Sequence, residues 1–151
     1  MKSFVGLIFA VALVEFASAV TKEYHDRAVA AKDKCAKEHN IKESEIQEFV
    51  KKHKLPETED GKCMIACYME EMKLITDGKV NVDEWKKSNK EKWDEEAHVA
   101  MADEIVDKCN EQVSPDGLAK CEYGFKLTEC GLKHRLEKGL PAPNMDDVKR
   151  R

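Results

Sequence analysis

Apolar residues recur along this chain at the three-to-four-residue period of a helix, and no stretch alternates strictly enough to read as a strand. Residues 22–38 set Tyr24, Ala28, Ala31 and Cys35 on one face at i, i+4, i+7 and i+11, predicting a first helix. Ser44-x-x-Gln47 resembles a capping box for a short second helix carrying Ile46, Phe49 and Val50, and Pro56 ends the segment behind it. A third helix is predicted from about Asp60 to Ile75, stopping at the turn pair Asp77-Gly78. Asn81 caps a fourth, from Val82 through Trp85, and a fifth runs from about Asp94 to Cys109. Ser114-Pro115-Asp116 breaks the chain before a sixth helix that continues to about Leu136. With no internal repeat, the pattern predicts an all-α domain.

Two of these helices carry more apolar surface than one neighbour can cover. Helix three spreads Cys63, Met64, Ile65, Cys67, Tyr68, Met69, Met72 and Ile75 over roughly two-thirds of its circumference, as a central helix would. Helix six has one stripe of Leu118, Cys121, Phe125, Leu132 and Leu136 and a second of Tyr123, Leu127 and Cys130. Between the stripes lie Gly124, Thr128 and Gly131. Glycine inside a helix costs about 1 kcal/mol relative to alanine, so these two call for a reason: close helix contact, or room for a ligand against the backbone. Met64, Met69, Met72 and Met101 would suit a pocket that adapts to aliphatic chains, and equally a plain core.

The first residues follow a different logic. Lys2, an apolar run from Phe4 to Val14 and the small residues Ala17-Ser18-Ala19 read as a cleaved signal peptide over 1–19. That run is too short to span a bilayer, which takes about 20 residues. The expected product is therefore secreted, extracellular and not inserted in a membrane. Export governs the six cysteines: in an oxidising compartment an even set reads as three disulfides. Cys63-x3-Cys67 with His39 or His53 lacks the usual spacing of a zinc site, so no metal and no cofactor are expected. The 30 acidic and 26 basic residues alternate along helix faces and form no basic stripe, which argues against a nucleic-acid partner.

Cys35, Cys63, Cys67, Cys109, Cys121 and Cys130 have 27, 3, 41, 11 and 8 residues between successive members. This ladder resembles that of the insect odorant-binding and pheromone-binding protein (PBP/GOBP) family of six-cysteine type. The resemblance spans the region from the first helix to the sixth. It implies the pairing Cys35–Cys67, Cys63–Cys121 and Cys109–Cys130, which spacing alone leaves open among fifteen possibilities. It also implies a compact six-helix, disulfide-linked domain over 20–138 enclosing an apolar cavity. The implied role is a non-enzymatic carrier that solubilises odorants, pheromones or other small lipophiles, in olfaction or another secretion. A membrane receptor is a further partner it suggests, with the carrier a monomer or weak homodimer.

Helical faces nominate Phe49, Met64, Tyr68, Met72, Met101, Ile105, Tyr123 and Leu127 as pocket wall, with Tyr68, Tyr123 and Thr128 offering hydroxyls to a polar ligand group. His98 falls on the apolar face of helix five with Met101, Ile105 and Cys109 and is the candidate pH sensor. The alternative is a secreted helical signalling or structural protein with a packed core and no ligand. A phospholipase-like hydrolase fits less well: His25-Asp26 is present, but no adjacent cysteines and no glycine-rich calcium loop accompany it. Beyond Gly139, the prolines at 141 and 143 exclude a helix. The segment 139–151 is expected to be an extended, mobile tail that at most brushes the cavity mouth.

Overall fold

The computed structural model describes residues 19–149. The expected signal sequence therefore lies outside the described residues except for Ala19, which opens a short strand β1 (Ala19–Thr21). Thr21 caps the helix that follows, its hydroxyl accepting from the Tyr24 backbone N–H at 3.2 Å. From this cap α1 (Lys22–Glu38) buries Tyr24, Ala28, Ala31 and Cys35 along one face.

Next come α2 (Glu43–Lys52), α3 (Glu59–Glu71), α4 (Val82–Lys92), α5 (Glu96–Gln112) and α6 (Lys120–Lys138). Several of their ends differ from the sequence reading: α4 runs on to Lys92, well past Trp85, and Leu118 lies ahead of α6. Helix α2 begins ahead of Ser44, and the reciprocal capping bond is made by Glu45, whose carboxylate accepts from the Lys42 backbone N–H at 3.0 Å. Helix α3 stops at Glu71, short of Ile75, because Lys73 turns to φ +60° and the Leu74 N–H reaches back to the Met69 carbonyl at 2.8 Å. Ile75 instead belongs to a small antiparallel ribbon, β2 (Ile75–Thr76) with β3 (Lys79–Val80). Asp77 and Gly78 both have positive φ in its turn, the requirement of a tight two-residue hairpin.

Helix α3 lies between α1 and α6, and α5 packs on both α4 and α6. Disulfides tie the layers: Cys35–Cys67 joins α1 to α3, Cys63–Cys121 joins α3 to α6, and Cys109–Cys130 joins α5 to α6. Gly124 faces Ala66 so closely that a β-carbon there would stand 2.8 Å from the Ala66 Cα. Of the two reasons for that glycine, close helix contact is the one the geometry supports. Around Gly131 a β-carbon would meet nothing within 4 Å. Leu136, on the first stripe of α6, is 54% exposed and takes no part in the core.

The C-terminal segment departs most from expectation. Gly139 adopts φ +66°, and the Leu140 N–H bonds the Arg135 carbonyl at 3.1 Å, a turn that folds the buried Leu140 back onto the core. The Pro141 carbonyl accepts from the Trp93 indole N–H at 3.2 Å. Residues Asn144–Lys149 then form β4, a parallel partner of β1, with Met145 and Val148 against the core. The prolines do exclude a helix, but the extended backbone they impose is what a strand needs. As far as Lys149 the tail is extended and docked on the core.

Candidate ligand-binding site

One cluster of buried side chains runs through the domain from Val20 and Tyr24 to Leu127 and Leu140. Of the residues nominated from sequence, Met72, Ile105, Tyr123 and Leu127 belong to it, and Tyr68 and Met101 pack against it. Thr128 borders it through a contact of its hydroxyl with the Met69 sulfur at 3.5 Å. The same hydroxyl donates to the Gly124 carbonyl at 3.0 Å, which leaves it able to accept from a ligand but not to donate. Phe49 and Met64 are half-buried and stand outside the cluster, and their neighbour Val50 is exposed.

Several polar groups of this interior are already engaged. Tyr24 and Tyr68 are hydrogen-bonded to each other, and burial pushes the Tyr24 hydroxyl well above its ordinary range and that of Tyr68 in the same direction. Burial likewise raises the Tyr123 hydroxyl, which is hydrogen-bonded to the Val80 backbone. On the α4 side, Asn89 is almost fully buried and donates to Asp103 on α5 at 2.9 Å. Beside it lies Lys92, whose amine burial pulls down to about 8. His98 is half-buried: its Nε2 stands 3.6 Å from a Glu95 carboxylate oxygen, while Nδ1 is buried without a hydrogen-bond partner among the described residues.

The surface has a groove of about 640 Å³ between the end of α5 and α6, lined in part by Val113, Leu118, Lys126 and Glu129. A smaller one of about 370 Å³ lies at the β2–β3 hairpin and the start of α4. Neither is lined by the nominated wall residues. All six cysteines are in disulfides, so none offers the thiolate that a zinc site or a nucleophile requires. No described helix is long and apolar enough to cross a membrane.

Sequence reasoning did not nominate Lys92, Asn89 or Trp93. Tyr24 was readable as a core position of α1, and its period on that face was the signal. No comparable signal exists for Lys92, which follows Lys86, Lys87 and Lys90 on a strongly charged helix.

Comparison with known proteins gives a consistent picture. The model of the PBP/GOBP family matches residues 17–134. General odorant-binding protein 19d of Drosophila melanogaster is 29% identical over 118 residues, which cover 76% of each chain. Among solved structures, odorant-binding protein dmelOBP28a from Drosophila melanogaster superposes with a TM-score of 0.65 at 25% identity, covering 80% of this chain and 98% of that one. Apis mellifera odorant binding protein 5 has a TM-score of 0.65 at 20% identity, covering 80% of this chain and 96% of its own. The fatty acid binding protein OBP56a from the oral disk of the blowfly Phormia regina has a TM-score of 0.57 at 23% identity, covering 78% and 96%.

Proposed function

This chain belongs to the PBP/GOBP family, and from that premise we propose that it is a secreted, non-catalytic carrier of small hydrophobic ligands. The relatives' names, odorant-binding and fatty acid binding, point to the same ligand class. The observation that carries the reading is the continuous apolar cluster, rich in methionine and aromatic side chains, that reaches from α1 to α6 inside a cage of three disulfides. Methionine side chains re-pack at low cost, and the cross-links hold the helices while they do so. Binding would draw on removal of ligand hydrocarbon from water, at about 25 cal/mol per Å².

In this reading Tyr68, Met72, Met101, Ile105, Tyr123 and Leu127 form the wall, with Phe49, Met64 and Thr128 at its margin. His98 is the proposed pH sensor: its protonated ring carries an N–H on both nitrogens, and Nδ1 is buried without a hydrogen-bond partner among the described residues. Uptake of the fluorescent apolar probe N-phenyl-1-naphthylamine, displaced by long-chain alcohols, tests the carrier reading. A chain that takes up no probe is instead the helical signalling or structural protein of the alternative.

A further inference from the structure

Lys92 ends α4 and is only 9% exposed. Its ammonium has three donors, and the hydrogen bond it makes is long, 3.4 Å to the Asn89 side-chain oxygen. Lys34, Lys62 and Lys86 each hold a carboxylate, whereas among the described residues none lies within ion-pair distance of Lys92. Its neighbours are aromatic instead, with the Tyr24 ring at 5.5 Å and the Trp93 ring at 5.7 Å. Cation–π attraction offsets part of the desolvation of a buried ammonium, but an apolar side chain of similar length would fill the space with no such cost. Lys92 thus sets a buried cation, with ammonium donors beyond the one that Asn89 accepts, against the main apolar cluster.

We propose, building on the carrier reading above, that Lys92 anchors the head group of a ligand carrying one carboxylate on an aliphatic tail. The carboxylate accepts from the ammonium donors that Asn89 leaves free, and the tail lies among the apolar side chains beyond Tyr24 and Trp93. A neutral head group would leave the buried charge unbalanced. A doubly charged one would need a second cation, and the nearby candidates are occupied: Arg27 pairs with Glu91 at 2.7 Å, and Lys149 pairs with Asp94.

The ion pair also fixes a pH dependence. Burial leaves the amine near 8, so it is mostly charged at neutral pH and loses its proton in mildly alkaline solution. Affinity for a carboxylate should then fall, while affinity for a neutral lipophile stays level. The other titratable groups around Lys92 are Tyr24 of α1 with its partner Tyr68 of α3, Glu91 of α4 held by Arg27, Asp103 of α5 behind Asn89, and the Lys149–Asp94 pair from β4. Burial keeps the two tyrosines neutral through that range.

The test is competition of laurate, methyl laurate and dodecanol against N-phenyl-1-naphthylamine on the full disulfide-bonded chain, with wild type, Lys92→Met and Lys92→Arg. Wild type should prefer laurate at neutral pH and lose that preference in alkaline solution. Lys92→Met should weaken laurate on the order of ten- to a hundredfold and leave the ester and alcohol unchanged, while Lys92→Arg keeps the preference. Laurate bound equally by wild type and Lys92→Met, with dodecanol bound by both, overturns the anchor and leaves the carrier reading standing. If wild type binds neither the probe nor any of the three lipophiles, the carrier reading falls and the anchor with it. A Lys92→Met variant that melts well below wild type and loses all three ligands alike marks the lysine as structural, which also overturns the anchor.

Discussion

Alanine at position 124 and alanine at position 131 are the same chemical change on one helix, and they should move stability in opposite directions. At 124 the new carbon would stand 2.8 Å from both the Cα and the Cβ of Ala66 and 3.3 Å from its backbone nitrogen. Comfortable carbon contacts begin at about 3.5 Å, so α3 and α6 must part locally by on the order of 0.7 Å or more. Backbone atoms cannot rotate aside as a side chain would. The Cys63–Cys121 bond sits three residues before each contact partner and opposes the separation. Overpacking of this kind costs about 1–3 kcal/mol, against a gain of about 1 kcal/mol from replacing glycine in a helix, so Gly124→Ala should lose about 1 kcal/mol net. Nothing lies within 4 Å at 131, so Gly131→Ala should gain about 0.5–1 kcal/mol. A difference near 2 kcal/mol corresponds to melting temperatures about 6–8 °C apart for a domain of this size. Urea and thermal unfolding followed by far-ultraviolet circular dichroism, without reductant, would resolve it. Should Gly124→Ala prove as stable as Gly131→Ala, the close approach of α3 and α6 is refuted.

Truncation after Lys138 removes the buried Leu140 and the acceptor of the Trp93 indole, and should cost about 2–4 kcal/mol with a red shift of tryptophan emission; unchanged melting and emission would mean the tail is not docked. Replacing His98 by phenylalanine should abolish any loss of probe affinity between pH 7 and pH 5, and an equal loss in the variant assigns the switch to another group. Lys92 is an amine whose folded value, about 8, lies below the ordinary 10.5, so the folded state binds its proton more weakly than the unfolded state does. Its penalty is full below pH 8 and fades as pH rises toward 10.5, so Lys92→Met should stabilise by on the order of 3 kcal/mol at pH 7 and by clearly less at pH 9.5. A gain of the same size at both pH values would show that the penalty is not electrostatic.

The helices were legible because period 3.6 is a local property: Tyr24, Ala28, Ala31 and Cys35 specify a buried face whatever they pack on. Helix ends were less so. Lys73 takes a left-handed conformation that glycine or asparagine would have advertised, and Ile75, readable as a last helical turn, goes into a hairpin. The wall residues follow the same division between local and long-range information. Periodicity marks which positions face inward, and Met72, Tyr123 and Leu127 do, but it does not say whether an inward face meets a neighbour or a ligand. At Gly124 that question is settled by the position of Ala66, fifty-eight residues earlier in the chain. Lys92 was illegible for a related reason: on a helix with four lysines, only the rings of Tyr24 and Trp93 distinguish the buried one.

Because β1 pairs with β4 in parallel, Val20 beside Val148 and Thr21 beside Lys149, the earliest and latest described segments close on each other. During synthesis that closure must wait until the final residues have been made, long after the helices between them can form. The contact also spans nearly the whole domain, the slowest kind to find by diffusion. Until it forms, Val20 lacks its partner strand, and the Trp93 indole lacks its acceptor on the C-terminal segment. The ends of the chain thus act as a seal on maturation, separating a nascent helical cage from a finished one.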